Sequence, residues 1–222
     1  MTRVVLKLGG GVAATAAYRA LDLFRRGDDV VVVHGAGPQI SFELRRRGIP
    51  VEFVDGRRVT SPAALAVVRE SLVAVGVEAS AALGPAALPL VGDEIGLEAR
   101  QLSELGVGGE PLPCRPEAIE EALAARRIPV VAPIAVGPLN VNADEAAGAL
   151  AIGLGADRIL FVSDVPGVFV DGAWAHRIEA AHADSLLAAG AFEGGIVPKL
   201  LAAVRAARLG VRAEIGATEV LA

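Results

Sequence analysis

The chain has 222 residues, 53% hydrophobic and 21% charged, with a formal net charge of −5, so it can bury a substantial core as one large domain or two closely packed lobes. No apolar run approaches the ~18–20 residues a membrane span needs, and the apolar stretch in MTRVVLKLGG is too short for a secretion signal and has no small-residue cleavage site; no membrane partner and a cytoplasmic location are expected. A single cysteine, Cys114, excludes an internal disulfide and a multi-cysteine metal site, and 4% aromatics leaves no stacking platform for nucleic acid, which is not an expected partner.

The first apolar run, residues 4–8, is closed by Gly9, Gly10 and Gly11, which predicts a buried strand entering a tight turn. A helix is expected over 12–26, broken by Gly27-Asp28-Asp29. Residues 30–33 form a second buried strand that ends in His34-Gly35-Ala36-Gly37-Pro38. The next helix, 39–47, finishes in Arg45, Arg46 and Arg47, a solvated end where cations suit the helix dipole. Residues 84–116 are rich in Gly and Pro, consistent with hairpins or irregular loops. A strand at 128–132, a helix at 144–154, a strand at 158–162 and a helix at 197–209 follow. Strand–glycine turn–helix units predict parallel strands joined by helical crossovers. Continuous apolar strands imply that both sheet faces are covered. The expected fold is α/β, a three-layer αβα sandwich with a mainly parallel central sheet, divided functionally near residue 135 into halves for two ligands.

Several polar groups interrupt this apolar frame. Lys7 lies in the first strand just before three glycines; it serves either as a snorkelling lysine at a sheet edge or as a cation at the strand end, where ligands of α/β sheets gather. The turns at Gly9–Gly11 and Gly35-Ala36-Gly37 let backbone N–H groups approach an anion closely, helped by the helix N-termini that follow. No GxxxxGK[ST] loop, kinase catalytic loop or DFG segment is present. Asn140-Val141-Asn142-Ala143-Asp144 precedes an alanine-rich helix, so Asn142 or Asp144 is a helix cap or Asp144 holds lysines. Ser163-Asp164-Val165-Pro166-Gly167 is a turn with a carboxylate. Lys199 falls in the first turn of the last helix, where a cation opposes the dipole unless phosphate is bound. Arg57 and Arg58, in Asp55-Gly56-Arg57-Arg58-Val59-Thr60, form a structural ion pair or bind a carboxylate bidentately.

In order, the segments KLGG, VVVHGAGPQI, GRRVT, NVNADEAAGALA, SDVPGV and GGIVPKL resemble the amino acid kinase family, over residues 4–204. Within it they are most similar to the members that phosphorylate N-acetyl-L-glutamate for arginine biosynthesis. The resemblance implies phosphorylation of that substrate's side-chain carboxylate by ATP, with Mg²⁺ carried by the nucleotide and no protein metal cluster. It implies Lys7, Lys199 and Asp144 as catalytic residues, Asp144 orienting both lysines. Gly9, Gly10, Gly35 and Ala36 would hold phosphate. Ala36, Gly37, Arg58 and Asn140 would bind the acylated amino acid, and Ser163, Asp164 and Gly167 the nucleotide. Residues 1–135 would then form the amino-acid lobe and 136–222 the ATP lobe.

The chain departs from the family pattern at four places. Ala36 replaces a glycine, which would cost ~1 kcal/mol if positive φ were required. Gly76-Val77-Glu78-Ala79 lacks the usual asparagine and lysine, the region between about 75 and 140 is short, and Ala217-Thr218-Glu219 stands for Gly-Thr-Arg. With no helical extension before the first strand, a homodimer without arginine inhibition is expected rather than a hexamer. Two other readings stay open: a kinase of the same family acting on an aminoadipate or glutamate residue attached to an acidic carrier protein, and a non-catalytic amino-acid or nucleotide sensor.

Overall fold

The computed structural model describes residues 1–9, 13–162 and 165–222. The chain opens with β1 (Arg3–Leu8), α1 (Ala13–Arg25), β2 (Asp29–His34) and α2 (Gly37–Arg46). A two-stranded hairpin, β3 (Phe53–Val54) and β4 (Arg57–Arg58), leads into the long α3 (Pro62–Leu83). Then come β5 (Ala87–Val91), β6 (Ala99–Leu102), β7 (Gly108–Pro111), α4 (Glu117–Ala124) and β8 (Ile128–Ala132). Short strands β9 (Ile134–Ala135) and β10 (Leu139–Val141) precede α5 (Ala143–Gly153) and β11 (Arg158–Val162). The last part holds β12 (Phe169–Val170), β13 (Ala173–Trp174), β14 (Arg177–Glu179), α6 (Ala180–Ala188), α7 (Ile196–Arg208), β15 (Arg212–Ile215) and β16 (Thr218–Leu221).

Eight strands form one sheet in the order β14-β16-β15-β11-β1-β2-β8-β5. Every neighbouring pair is parallel except β15–β16. The first strand is therefore central, with β2 on one flank and β11 on the other; Lys7 is level with Val33 and Phe161. Alternation of side chains along a strand divides the core into two layers. Val4, Leu6 and Leu8 pack with Val30, Val32, Ala17, Ala20, Ala79 and Leu83 beneath α1 and α3. Val5, Val31, Val33, Ile159 and Phe161 pack with Ala147, Leu150, Leu200 and Ala203 beneath α5 and α7. The three-layer αβα architecture expected from the sequence is what these residues build.

Three helices (α3, α4 and α6) and four strands of the large sheet (β5, β14, β15 and β16) lie outside the elements read from the sequence. Helix α3 is apolar on nearly all sides, so its 3.6-residue stripe is blurred. Ser61 nevertheless caps it, accepting from the Ala64 N–H at 3.1 Å, and Pro62 begins it. Helices α4 and α6 are only 8 and 9 residues long. In the region 84–116, β6 and β7 form the expected kind of hairpin, but β5 is an edge strand of the main sheet alongside β8. A second sheet, β6-β7-β10-β9, stands beside the first and carries Asn140. Helix α5 passes so close to the chain at Cys114 that a Cβ on Gly153 would lie 2.0 Å from the Cys114 carbonyl oxygen.

Candidate active site

Lys7 shares the face of Val5, toward α5 and α7, and emerges at the C-terminal end of β1. Its Nζ is 3.0 Å from Asp144 Oδ1, and Lys199 Nζ is 2.8 Å from the same oxygen. Each of the three residues is less than a tenth exposed. Asn142 is the cap of α5, its Oδ1 accepting from the N–H groups of Asp144 at 2.8 Å and Glu145 at 3.2 Å. Asp144 is thereby placed in the first helical turn, where a carboxylate suits the dipole. Lys199 lies in the first turn of α7 against its own dipole, held by Asp144 and 5.7 Å from the Phe161 ring centroid. Burial pushes the Lys7 ammonium below the usual lysine range; Asp144 opposes that shift and Lys199 adds to it. Two ammonium groups on one carboxylate leave a buried positive charge uncompensated, an arrangement that an incoming anion relieves.

Beside this cluster is a cavity of about 270 Å³ whose walls include Lys7, Gly35, Ala36, Gly37, Arg58 and Asn140. The glycine turns do not all offer free donors. Gly9 N–H bonds Val162 O at 3.3 Å and Gly35 N–H bonds Leu8 O at 3.2 Å, both extending the sheet. Ala36 is buried at the N-terminus of α2 with φ −136°, so its Cβ carries none of the left-handed strain a positive φ would impose. No side chain caps α2, and the N–H groups of Gly37 and Gln39 in its first turn have no intrahelical partner. These face an anion more readily than the Gly9 or Gly35 amides. Gly10, Ser163 and Asp164 lie outside the described residues. Gly167 is buried against Thr218, whose Oγ1 would sit 2.3 Å from a Cβ there and accepts from the Val168 N–H at 2.8 Å. Its glycine is thus required by packing, and Thr218 in the divergent Ala217-Thr218-Glu219 segment holds that turn.

At the other end of the cavity, Arg58 Nη2 donates to Ser41 Oγ at 2.8 Å and to the Gly37 carbonyl at 3.3 Å. Its guanidinium lies 4.7 Å from the Phe53 ring centroid, while the buried Nη1 has no partner. Burial, and to a smaller extent Arg45, pull its pKa down, but a guanidinium stays charged. Asn140 Nδ2 donates to Thr60 Oγ1 at 2.9 Å, and that hydroxyl donates to the Arg58 carbonyl at 3.1 Å. Thr60 is fully buried and joins the two side chains that the resemblance assigns to the acylated substrate. Thr60 closes the motif that begins at Asp55, and nothing in the motif alone signals this role. Ser41 carries no local signal, because only the approach of α2 to the β3–β4 hairpin makes it a partner of Arg58. Among the described residues no cluster of three or more His, Cys, Asp or Glu side chains is arranged to hold a metal ion, and no helix is long and apolar enough to cross a membrane.

A parallel sheet whose central strand delivers a lysine into a buried, net-cationic pocket defines an α/β protein built to receive an anion. The profile of the Amino acid kinase family matches residues 2–216, and the chain belongs to that family. It is 37% identical over 218 residues to the acetylglutamate kinase of Geobacillus stearothermophilus, covering 91% of this chain and 84% of the relative. It is 41% identical over 194 residues to that of Roseiflexus castenholzii, covering 82% and 75%. Among solved structures, smu.665 from Streptococcus mutans superposes with a TM-score of 0.89 at 27% identity, covering 99% of this chain and 98% of that one. Carbamate kinase from Giardia lamblia bound to AMP-PNP shares the fold, with a TM-score of 0.72 at 15% identity over 99% and 98% of the two chains.

His34, which opens the second glycine turn, is 2% exposed, and neither ring nitrogen has a partner in good hydrogen-bond geometry, the Gly35 backbone lying close enough only to oppose its desolvation weakly. It faces α3, where a Cβ on Gly76 would come within 2.9 Å of Nε2, so this glycine accommodates the imidazole. Burial lowers its pKa from 6.5 to about 4. Within that interval the unfolded chain binds the extra proton, so stability is fully present above pH 6.5 and falls as pH drops toward 4. Denaturant unfolding at pH 7 and 4.5 should show wild type losing about 2 kcal/mol more than His34→Leu. Equal losses in the two proteins would contradict this assignment.

Proposed function

We propose that the protein transfers the γ-phosphoryl group of ATP to the side-chain carboxylate of N-acetyl-L-glutamate, making an acyl phosphate in a cytoplasmic step of arginine biosynthesis. The observation that carries this reading is a single cavity lined by Lys7 and Asp144, whose carboxylate also holds Lys199, and by Arg58 and Asn140. The relatives named acetylglutamate kinase support it. Phosphoryl transfer needs in-line placement and neutralised charge more than covalent help. A carboxylate nucleophile is already ionised at neutral pH, so no general base is required. Lys7 meets the transferring group, Lys199 offsets charge toward the leaving phosphates, and Asp144 keeps the two ammonium groups in place. Arg58 and Asn140 take the other carboxylate and the amide, with Ala36 and Gly37 alongside.

In this reading residues 1–135 form the amino-acid lobe and 136–222 the ATP lobe. Phosphate oxygens would meet the N–H groups at the start of α2, next to Gly35 and Ala36, and the segment that carries Gly167 is assigned to the nucleotide. Apart from Asp144, already shared by two lysines, the donors around the cavity are cations and amides, which suit phosphate oxygens rather than a protein-bound metal. Mg²⁺ carried by ATP would supply further charge neutralisation there. Arg46 and Arg47 are matched by Glu43 and Glu70, and Arg57 by Glu145, which leaves little basic rim for an acidic carrier protein. A homodimer belongs to the proposal: Val73 and Val77, one turn apart on α3, are 40% and 57% exposed and offer an apolar face.

Purified protein with Mg-ATP and hydroxylamine should form acyl hydroxamate from N-acetyl-L-glutamate and not from free L-glutamate. No product from either, with ATP still bound, would turn the reading toward a carrier-linked substrate or a sensor. Lys7→Ala should lower kcat by roughly 10²-fold or more, about 3 kcal/mol, the scale of a lost electrostatic stabiliser; near-normal turnover would remove Lys7 from the mechanism. Sedimentation velocity should give a mass twice that of the chain, and a hexamer would overturn the dimer.

A further inference from the structure

The β3–β4 hairpin that carries Arg58 is small. It has two residues per strand, Phe53 and Val54 are exposed, and its turn places Asp55 and Gly56 at φ 48° and 75°. A two-stranded hairpin is marginal by itself in water, so its position is set by what it touches. Consecutive strand residues point to opposite faces, and its two arginines do so. Arg58 turns inward to Ser41 and the Gly37 carbonyl. Arg57 turns the other way, its Nε 2.8 and 3.1 Å from the two carboxylate oxygens of Glu145. Next to it, Gly56 abuts α7, where a Cβ would meet Pro198 Cδ at 3.4 Å.

Both contacts fall one residue away from the catalytic cluster. Glu145 follows Asp144 on α5, and Pro198 precedes Lys199 on α7. The Glu145 side chain is 12% exposed against 28% for Arg57, so the pair is partly desolvated, and removing one partner would strand the other. Hydrogen bonding to Glu145 raises the Arg57 pKa, while burial outweighs Arg57 in raising that of Glu145.

We propose that Arg57 and Glu145 are a positioning pair that latches the β3–β4 hairpin to α5, fixing the distance between the Arg58 clamp and the Lys7–Asp144–Lys199 cluster. Arg57 also borders the cavity, but its guanidinium is engaged by Glu145, and neither residue is assigned to the reacting atoms. Their effect reaches the acylated amino acid through the placement of Arg58, and this rests on the reading of Arg58 as its carboxylate clamp. Because the latch acts on the substrate end of the cavity, its loss falls on that substrate and spares ATP.

The test uses the full-length protein with Arg57→Gln, Glu145→Gln, the double variant and the charge-swapped Arg57→Glu/Glu145→Arg. In the hydroxamate assay each single variant should raise KM for N-acetyl-L-glutamate about tenfold, with KM for ATP and kcat within about twofold, the scale of coupling between contacting residues. The double variant should be no worse than the worse single, and the swap should restore part of the loss. Hydrogen exchange of amides 53–60 should quicken at least about tenfold in the single variants, as expected when a local anchor is lost. Unchanged KM, an equal rise for ATP, or losses that multiply in the double variant would overturn the latch. Faster exchange with unchanged KM would do so too. If wild-type protein formed no hydroxamate, the functional reading would fail instead, and the exchange arm would still decide whether the pair holds the hairpin.

Discussion

Two buried ammonium groups share one carboxylate oxygen, and much of the architecture follows from that arrangement. An isolated buried lysine would shed its proton or drag in water; here Asp144 receives Lys7 at 3.0 Å and Lys199 at 2.8 Å. For this to happen, the end of β1 and the beginnings of α5 and α7 must meet at one point. The central place of β1, the cap supplied by Asn142 and the small residues between α5 and α7 all serve that convergence. Gly148, for example, lies where a Cβ would be 3.5 Å from Ala202 Cβ. The electrostatic tension is only partly resolved by protein groups, and an anion completes it.

The opposite end of the cavity obeys a different logic. Arg58 and Asn140 come from separate sheets and are tied through one buried hydroxyl, Thr60. Thr60 is itself fixed by the backbone, its N–H bonding Leu105 O at 2.9 Å and its carbonyl accepting from Val107 N–H at 2.9 Å. The lysine end is rigid because strands and helix termini define it. The arginine end is positioned by a small hairpin that depends on its neighbours.

The sequence made the central sheet legible because strands β1, β2, β8 and β11 are continuous apolar runs and the first two end in glycine. It left α3 unread, since a helix with almost no polar face shows no period. It also left β5 unread, because Pro89 and the surrounding glycines resemble loop. Lys7, Asp144 and Lys199 could each be singled out, but their meeting on one oxygen depends on strand order, which no local pattern states. The same holds for Ser41 and for the Arg57–Glu145 pair, 88 residues apart. One worry raised by the sequence dissolves on physical grounds, because Ala36 adopts a negative φ; Gly76, in another departing segment, has a packing role of its own, making room for His34.

The central position of β1 also bears on how the chain is made. One edge of β1 pairs with β2, only a helix away, but the other waits for β11, with Val4 opposite Arg158. At translation rates of about 5–20 residues per second, a separation of 154 positions along the chain takes about 8–30 s to synthesise. During that time a nascent layer of β1, β2 and, later, β5 and β8 presents an unpaired edge lined by valine and leucine. Such an edge invites pairing with other chains. Ribosome-bound intermediates of this protein are therefore the species that chaperones have most reason to cover, and slow codons before β11 would lengthen their exposure.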